Sequence, residues 1–231
     1  MPAYKQPTLV DYTAADQASA SDVQKKLLAA YNSNNAYDEA VVPLLEAYVA
    51  EQVKNSTVDV DADLALLKLY LVYPGKTNVE KVTQVLVKGV TSLPSTFFTG
   101  ATTMIPTSVR EDANVQAVIE AGFLLQSCLF EEFWTKDLAF AKAVPGFEDA
   151  ARAFILETIS RSHNAIAASV VKAKLNVSDA DLKTAIATEG WTVEGDVVKI
   201  TANEHNQMRP KKVQEDLQFE DVMKVIHTLS K

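Results

Sequence analysis

Glycine is scarce in this chain, 7 of 231 residues, histidine occurs three times and cysteine once. With so few glycines there are few positions free to take left-handed backbone, which turn-rich all-β chains need, so the composition leans towards helix. The lone Cys128 cannot close an intramolecular disulfide, which fits a reducing compartment. No apolar run approaches the about 18 residues that mark a membrane-spanning helix. The opening MPAYKQPTLVDY has no apolar signal core, so a cytosolic chain is expected. The sequons at Asn55 and Asn176 are then accidental.

Positive charge is also short. Lys and Arg number 22 against 30 Asp and Glu, a net charge of −8. Residues 1–145 carry 11 basic against 17 acidic side chains, and residues 146–231 carry 11 against 13. Such a balance argues against binding nucleic acid or anionic membranes through bulk electrostatics, a local basic patch aside.

Patterns that carry chemistry are missing as well. His163, His205 and His227 lie far apart, without a second ligand at metal spacing. Gly75-Lys76-Thr77 resembles the tail of a phosphate loop, but Tyr70 stands where the first glycine belongs, so a turn is expected. Asp59, Asp61 and Asp63 have calcium-loop spacing, yet Leu64 replaces the required glycine; acids at a helix N-terminus explain them. Cys128 reads as core, and Trp134 and Trp191 as core or interface anchors. No catalytic, cofactor or metal residue is expected.

What the chain does have is a succession of helical patterns. Ser21 caps a helix running to about residue 31, and further helices are expected over 37–54, 61–73, 78–93, 94–105, 111–126 and 130–143. The 61–73 segment is apolar nearly all round, as in the middle of a stack. Short helices joined by short loops suggest pairs stacked like HEAT or TPR units. Residues 1–20, rich in Ala, Ser, Thr and Asp, read as a flexible arm, residues 21–145 as a helical-repeat domain, and Pro145-Gly146 as the boundary of a second domain over 146–231.

That second domain is organised around residues 178–200. Ser178 with Asp181 forms a capping box, so a helix starts at Asp179, with Leu182, Ala185 and Ile186 on one face and Gly190 at its end. Trp191 and Val193, then Val197, Val198 and Ile200, flank Glu194-Gly195-Asp196 as two antiparallel strands. Helices over 147–162 and 165–175 precede them. Three helices and a hairpin make a winged helix, but its third helix carries Asp179, Asp181 and Glu189 against Lys183 alone. A duplex-reading helix needs the opposite charge, so a protein partner is expected rather than sequence-specific nucleic acid. Residues 201–210 read as a polar loop, and Phe219, Val222, Met223, Ile226 and Leu229 as the face of a final amphipathic helix. That helix must pack on its own domain or on a partner.

A helical stack, a winged helix and a terminal helix resemble the PCI architecture of the proteasome lid, the signalosome and eukaryotic translation initiation factor 3. Within that group the chain is similar to the subunit k family of the initiation factor. The order and spacing of NNAYDEAVVPLLEAYVAEQ, DADLALLKLYLVYP, VLVKGVTSLPSTFF, LLQSCLFEEFW, GFEDAARAFI, LKTAIATEGW and FEDVMKVI carry the resemblance. It implies a non-catalytic scaffold paired with the PCI-type subunit l and other initiation factor 3 subunits, reaching the small ribosomal subunit through the complex, with no cofactor and no membrane. The alternative is a short PCI-type subunit of the proteasome lid or signalosome. Trp191, Val193, Val197, Val198, Ile200, Phe219, Val222, Met223 and Ile226 are then the candidate partner contacts, unless they fill the domain's own core.

Overall fold

In the computed structural model, which describes residues 4–14, 20–33, 35–137, 139, 144–207 and 218–230, helices start where the sequence offers caps. Ser21 opens α1 (Asp22–Asn32) reciprocally: its hydroxyl accepts from the Gln24 N–H at 3.2 Å, and Gln24 Oε1 accepts from the Ser21 N–H at 2.8 Å. A 3-10 turn over Glu39–Val41 leads into α2 (Val42–Asn55), where Pro43 sits in the first turn and no N–H is needed. Asp59, Asn78 and Asp112 cap α3 (Val60–Val72), α4 (Val79–Thr91) and α7 (Ala113–Gln126). Between the last two lie α5 (Phe97–Thr103) and α6 (Thr107–Arg110), and α8 (Phe130–Thr135) follows. The helix expected over 130–143 therefore stops at Thr135, and most of its remainder, 138 and 140–143, lies outside the described residues.

These helices pack in a chain of neighbours: α1 on α2, α2 on α3 and α4, α3 on α5, α4 on α5 and α7, α7 on α6 and α8. As its pattern requires, α3 buries Ala62, Leu66, Leu67, Leu69 and Tyr70. The centre is α4, buried continuously from Val85 to Thr91. Phe98 of α5 is fully enclosed there because glycines face it: a Cβ on Gly89 would lie 3.1 Å from Phe98 Cα, and one on Gly122 would overlap the Phe98 ring. Close approach, rather than backbone dihedrals, requires glycine at Gly122 and favours it at Gly89.

Residues 4–14, expected as part of a flexible arm, lie instead against the stack. β1 (Thr8–Leu9) pairs in parallel with β2 (Thr57–Val58), which Ser56 reaches through a left-handed turn at φ 52. Tyr12 is buried with its ring edge-on to Tyr31 and Tyr48, and its N–H donates to Asp59 Oδ2 at 2.8 Å. The polar composition of the segment hid these anchors, which depend on groups far along the chain.

The second half starts with α9 (Phe147–Ser162), entered through Gly146 in left-handed conformation, φ 81. Residues 165–175 are not one helix as expected. Ala165–Ala167 form β3, and α10 (Ala168–Leu175) begins only afterwards. Pairing of Ile166 with Val198 outweighs the helix propensity of the Ala-rich run. Next come α11 (Asp179–Thr188), β4 (Thr192–Glu194) and β5 (Val197–Lys199), forming an antiparallel sheet in the order β3-β5-β4. The expected sequence of three helices and a hairpin is thus present, with β3 as an added strand. α9 packs on α4 and α10 on α8 and α9, and one apolar core runs from Tyr12 to Ile200.

The loop after β5 is pinned rather than free: Asn206 is buried and its amide donates to the carbonyls of Ser160, His163 and Thr201. The last helix, α12 (Phe219–Leu229), buries none of its residues. Among the described residues no helix is long and apolar enough to cross a membrane. The protein is mainly helical.

Candidate functional site

Register decides which wing residues reach the surface. Val193 pairs with Val198, and Val198 with Ile166, so these three share one face of the sheet; Val197 pairs with Glu194 and Ala167 on the other. Val198 is fully buried on the inner face, with Trp191 and Ile200 buried beside the strands. These three candidate contacts are core residues, and they can affect a partner only by supporting the wing from within. Val193 and Val197 are exposed, but on opposite faces, so they form no single patch.

β4 is an outer strand of the sheet, and all of its residues are exposed. The Ala168 N–H donates to Asp196 O and the Ile200 N–H to Asn164 O, which places the β3 bonds of β5 at Val198. β5 therefore meets β4 through Val197 and Lys199, and the backbone N–H and C=O of Val193 face away from β5. An edge of this kind can accept a further strand.

Beside it, α11 presents its acids outward. Ser178 caps it by accepting from the Asp181 N–H at 3.3 Å, but the Asp181 carboxylate returns to the Ser178 hydroxyl at 2.7 Å instead of its N–H, a variation on the expected box. Lys172 Nζ lies 2.6 Å from Asp179 Oδ1, and this hydrogen bond holds the Asp179 carboxyl below the usual carboxylate range. Asp181 and Lys183 are exposed.

The four candidates on α12 are all exposed: Phe219 77%, Val222 42%, Met223 46% and Ile226 53%, with Leu229 at 82%. They line one face at i, i+3, i+4 and i+7, so the ridge is continuous and uncovered. Of the nine candidates, then, the structure groups four on α12, puts two on separate faces of the wing and sends three into the core.

Polar chemistry elsewhere is spent on structure. The Ser162 hydroxyl donates to Thr158 O at 2.6 Å, one turn back on α9, and lies 2.7 Å from His163 Nδ1. Asp59 accepts from the Ala62 and Tyr12 N–H groups and from the Tyr48 hydroxyl. Cys128, expected in the core, is exposed in the turn between α7 and α8 at φ 60. Trp134 does anchor an interface within the chain: Nε1 donates to Lys174 O at 2.8 Å, with the Arg152 guanidinium 5.0 Å from its ring.

One group escaped sequence reasoning. Lys88 of α4 is buried, and its ammonium donates to Asp63 Oδ2 at 2.6 Å and Gln52 Oε1 at 2.5 Å. Burial pushes the Asp63 carboxyl up to about 6 against the pull of Lys88, and burial likewise lowers the Lys88 ammonium. No local signal marked it, because Lys88 continues the polar row of Glu80, Lys81 and Gln84 on α4, the pattern of a surface lysine.

A sequence profile of the CSN8/PSMD8/EIF3K family matches residues 76–212. Similar relatives include eukaryotic translation initiation factor 3 subunit K from Drosophila erecta, Drosophila persimilis and Drosophila yakuba. Each is 30% identical over 190 residues, covering 80% of this chain and 86% of the relative.

Proposed function

The chain belongs to the CSN8/PSMD8/EIF3K family, and on that premise we propose that it is a subunit of eukaryotic translation initiation factor 3. In this reading it is a non-catalytic scaffold in the cytoplasm, acting in protein synthesis initiation by holding other subunits together. The partners are neighbouring initiation factor 3 subunits, the PCI-type subunit l first among them, and the small ribosomal subunit is reached through the complex. The chain divides functionally into a helical stack over 21–145 and a winged-helix module over 146–231.

The observation that carries the reading is the uncovered apolar ridge of α12, because an isolated chain gains nothing by leaving five large apolar side chains in water. Phe219, Val222, Met223 and Ile226 are the contacts assigned to a partner helix or groove, and Val193 with the β4 edge is a second contact. Trp191, Val198 and Ile200 keep the wing rigid. The acidic outer surface of α11 fits a protein neighbour and disfavours a duplex.

The test is affinity purification of the tagged chain from native lysate with mass spectrometry. Recovery of initiation factor 3 subunits is expected. Recovery of proteasome-lid or signalosome subunits without initiation factors would replace this reading with the other branch of the family.

A further inference from the structure

A groove of about 410 Å³ opens between α1, α3 and the turn that precedes α2. Leu27, Leu45 and Leu64 line it, and Tyr31 and Tyr37 stand at its rim, both more than half exposed. Aromatic rims around an apolar floor are the composition of protein-contact hot spots. Two charges complete the groove, Asp61 and Lys68 of α3. They are seven residues apart on one helix face, about 10.5 Å along the axis. Lys68 Nζ sits 4.3 Å from the Tyr37 ring centroid. Among the described residues neither charge makes an ion pair. The other apolar groove, over Ile119, Phe123 and Leu124 of α7, differs in this respect. Its Arg110 donates to Thr102 O and its Glu120 holds Lys136 at 2.6 Å.

The same chain carries a segment that matches the first groove. On α12, Glu220 and His227 are also seven residues apart, and both border the ridge of Phe219, Val222, Met223 and Ile226 on the same side. Laid antiparallel on α3, α12 brings Glu220 to Lys68 and His227 to Asp61, with Lys224, itself 3.1 Å from Asp221, a turn away. Its ridge then meets the apolar floor and the two tyrosines. Within one copy α12 lies uncovered and the groove lies open.

We infer that, outside its assembly, α12 of one copy docks in the α1–α3 groove of a second copy and the reverse, giving a two-fold dimer with exchanged terminal helices. The dimer shields the ridge until a partner takes it. The inference rests on this groove and this helix, and it holds whichever assembly the chain joins.

Sedimentation velocity on the purified full chain over a concentration series tests it. A reversible monomer–dimer equilibrium is expected. Lys68→Glu, at an exposed position, weakens it by about tenfold, since two exposed ion pairs per dimer are reversed in sign. Lys68→Glu combined with Glu220→Lys restores it. Tyr37→Ala weakens it without lowering the melting temperature. A chain that stays monomeric throughout overturns the inference, whether α12 is free or folds back on its own groove. So does a dimer indifferent to both Lys68→Glu and Tyr37→Ala, which would be joined elsewhere. Neither result bears on which subunits are recovered from lysate.

Discussion

Lys88 Nζ lies 2.6 Å from Asp63 Oδ2 with both side chains at most 1% exposed, so the centre of the helical stack holds an ion pair cut off from water. Gln52 completes it, donating to Asp63 Oδ1 at 3.3 Å while its own carbonyl accepts from Lys88 and from the Asp59 N–H. Removing one partner strands a buried charge. Lys88→Met is expected to destabilise the fold by about 3–5 kcal/mol in denaturant unfolding. The double variant Asp63→Leu with Lys88→Met should recover most of that loss, because two apolar side chains remove the desolvation cost together.

The same pair sets a pH dependence. Burial raises the Asp63 carboxyl from 3.8 to about 6, so the folded chain keeps this proton longer than the unfolded one. The associated stability is complete below about pH 4 and is lost as pH rises through about 6, a change on the order of 1–3 kcal/mol. Unfolding free energies measured from pH 4 to 7 should therefore show a falling contribution in the wild-type chain that is missing in Asp63→Leu with Lys88→Met.

Gly122 is expected to be intolerant of any side chain. A Cβ there overlaps the enclosed Phe98 ring, which has Gly89 near its backbone and no room to retreat. Gly122→Ala should cost about 1–3 kcal/mol by overpacking. Gly89→Ala, where the nearest atom would be 3.1 Å away, should cost less. Thermal melts of the two variants give the order.

Features set within a few residues of chain were legible in the sequence. Ser21 and Ser178 mark helix starts and Gly195 marks the wing turn, each by local chemistry. The ridge of α12 was legible for the same reason, its periodicity lying within eleven residues. What stayed hidden depends on partners far away. Thr8 pairs with Thr57, and Ile166 with Val198, so neither strand could be foreseen from its own neighbours. Lys88 looked like a surface lysine until α2 and α3 enclosed it. At the candidate site, alternation along the strands was visible, but which valines face inward required the register, and Trp191, Val198 and Ile200 proved to be core.

In the proposed assembly the apolar face of α12 packs on another subunit. The most direct measurement compares the wild-type chain with Val222→Asp combined with Ile226→Asp, reading both the melting temperature and the initiation factor 3 subunits recovered with the tagged protein. An unchanged melting temperature and loss of the neighbouring subunits are expected. Subunits recovered at the wild-type yield, or a large fall in melting temperature, would contradict that packing.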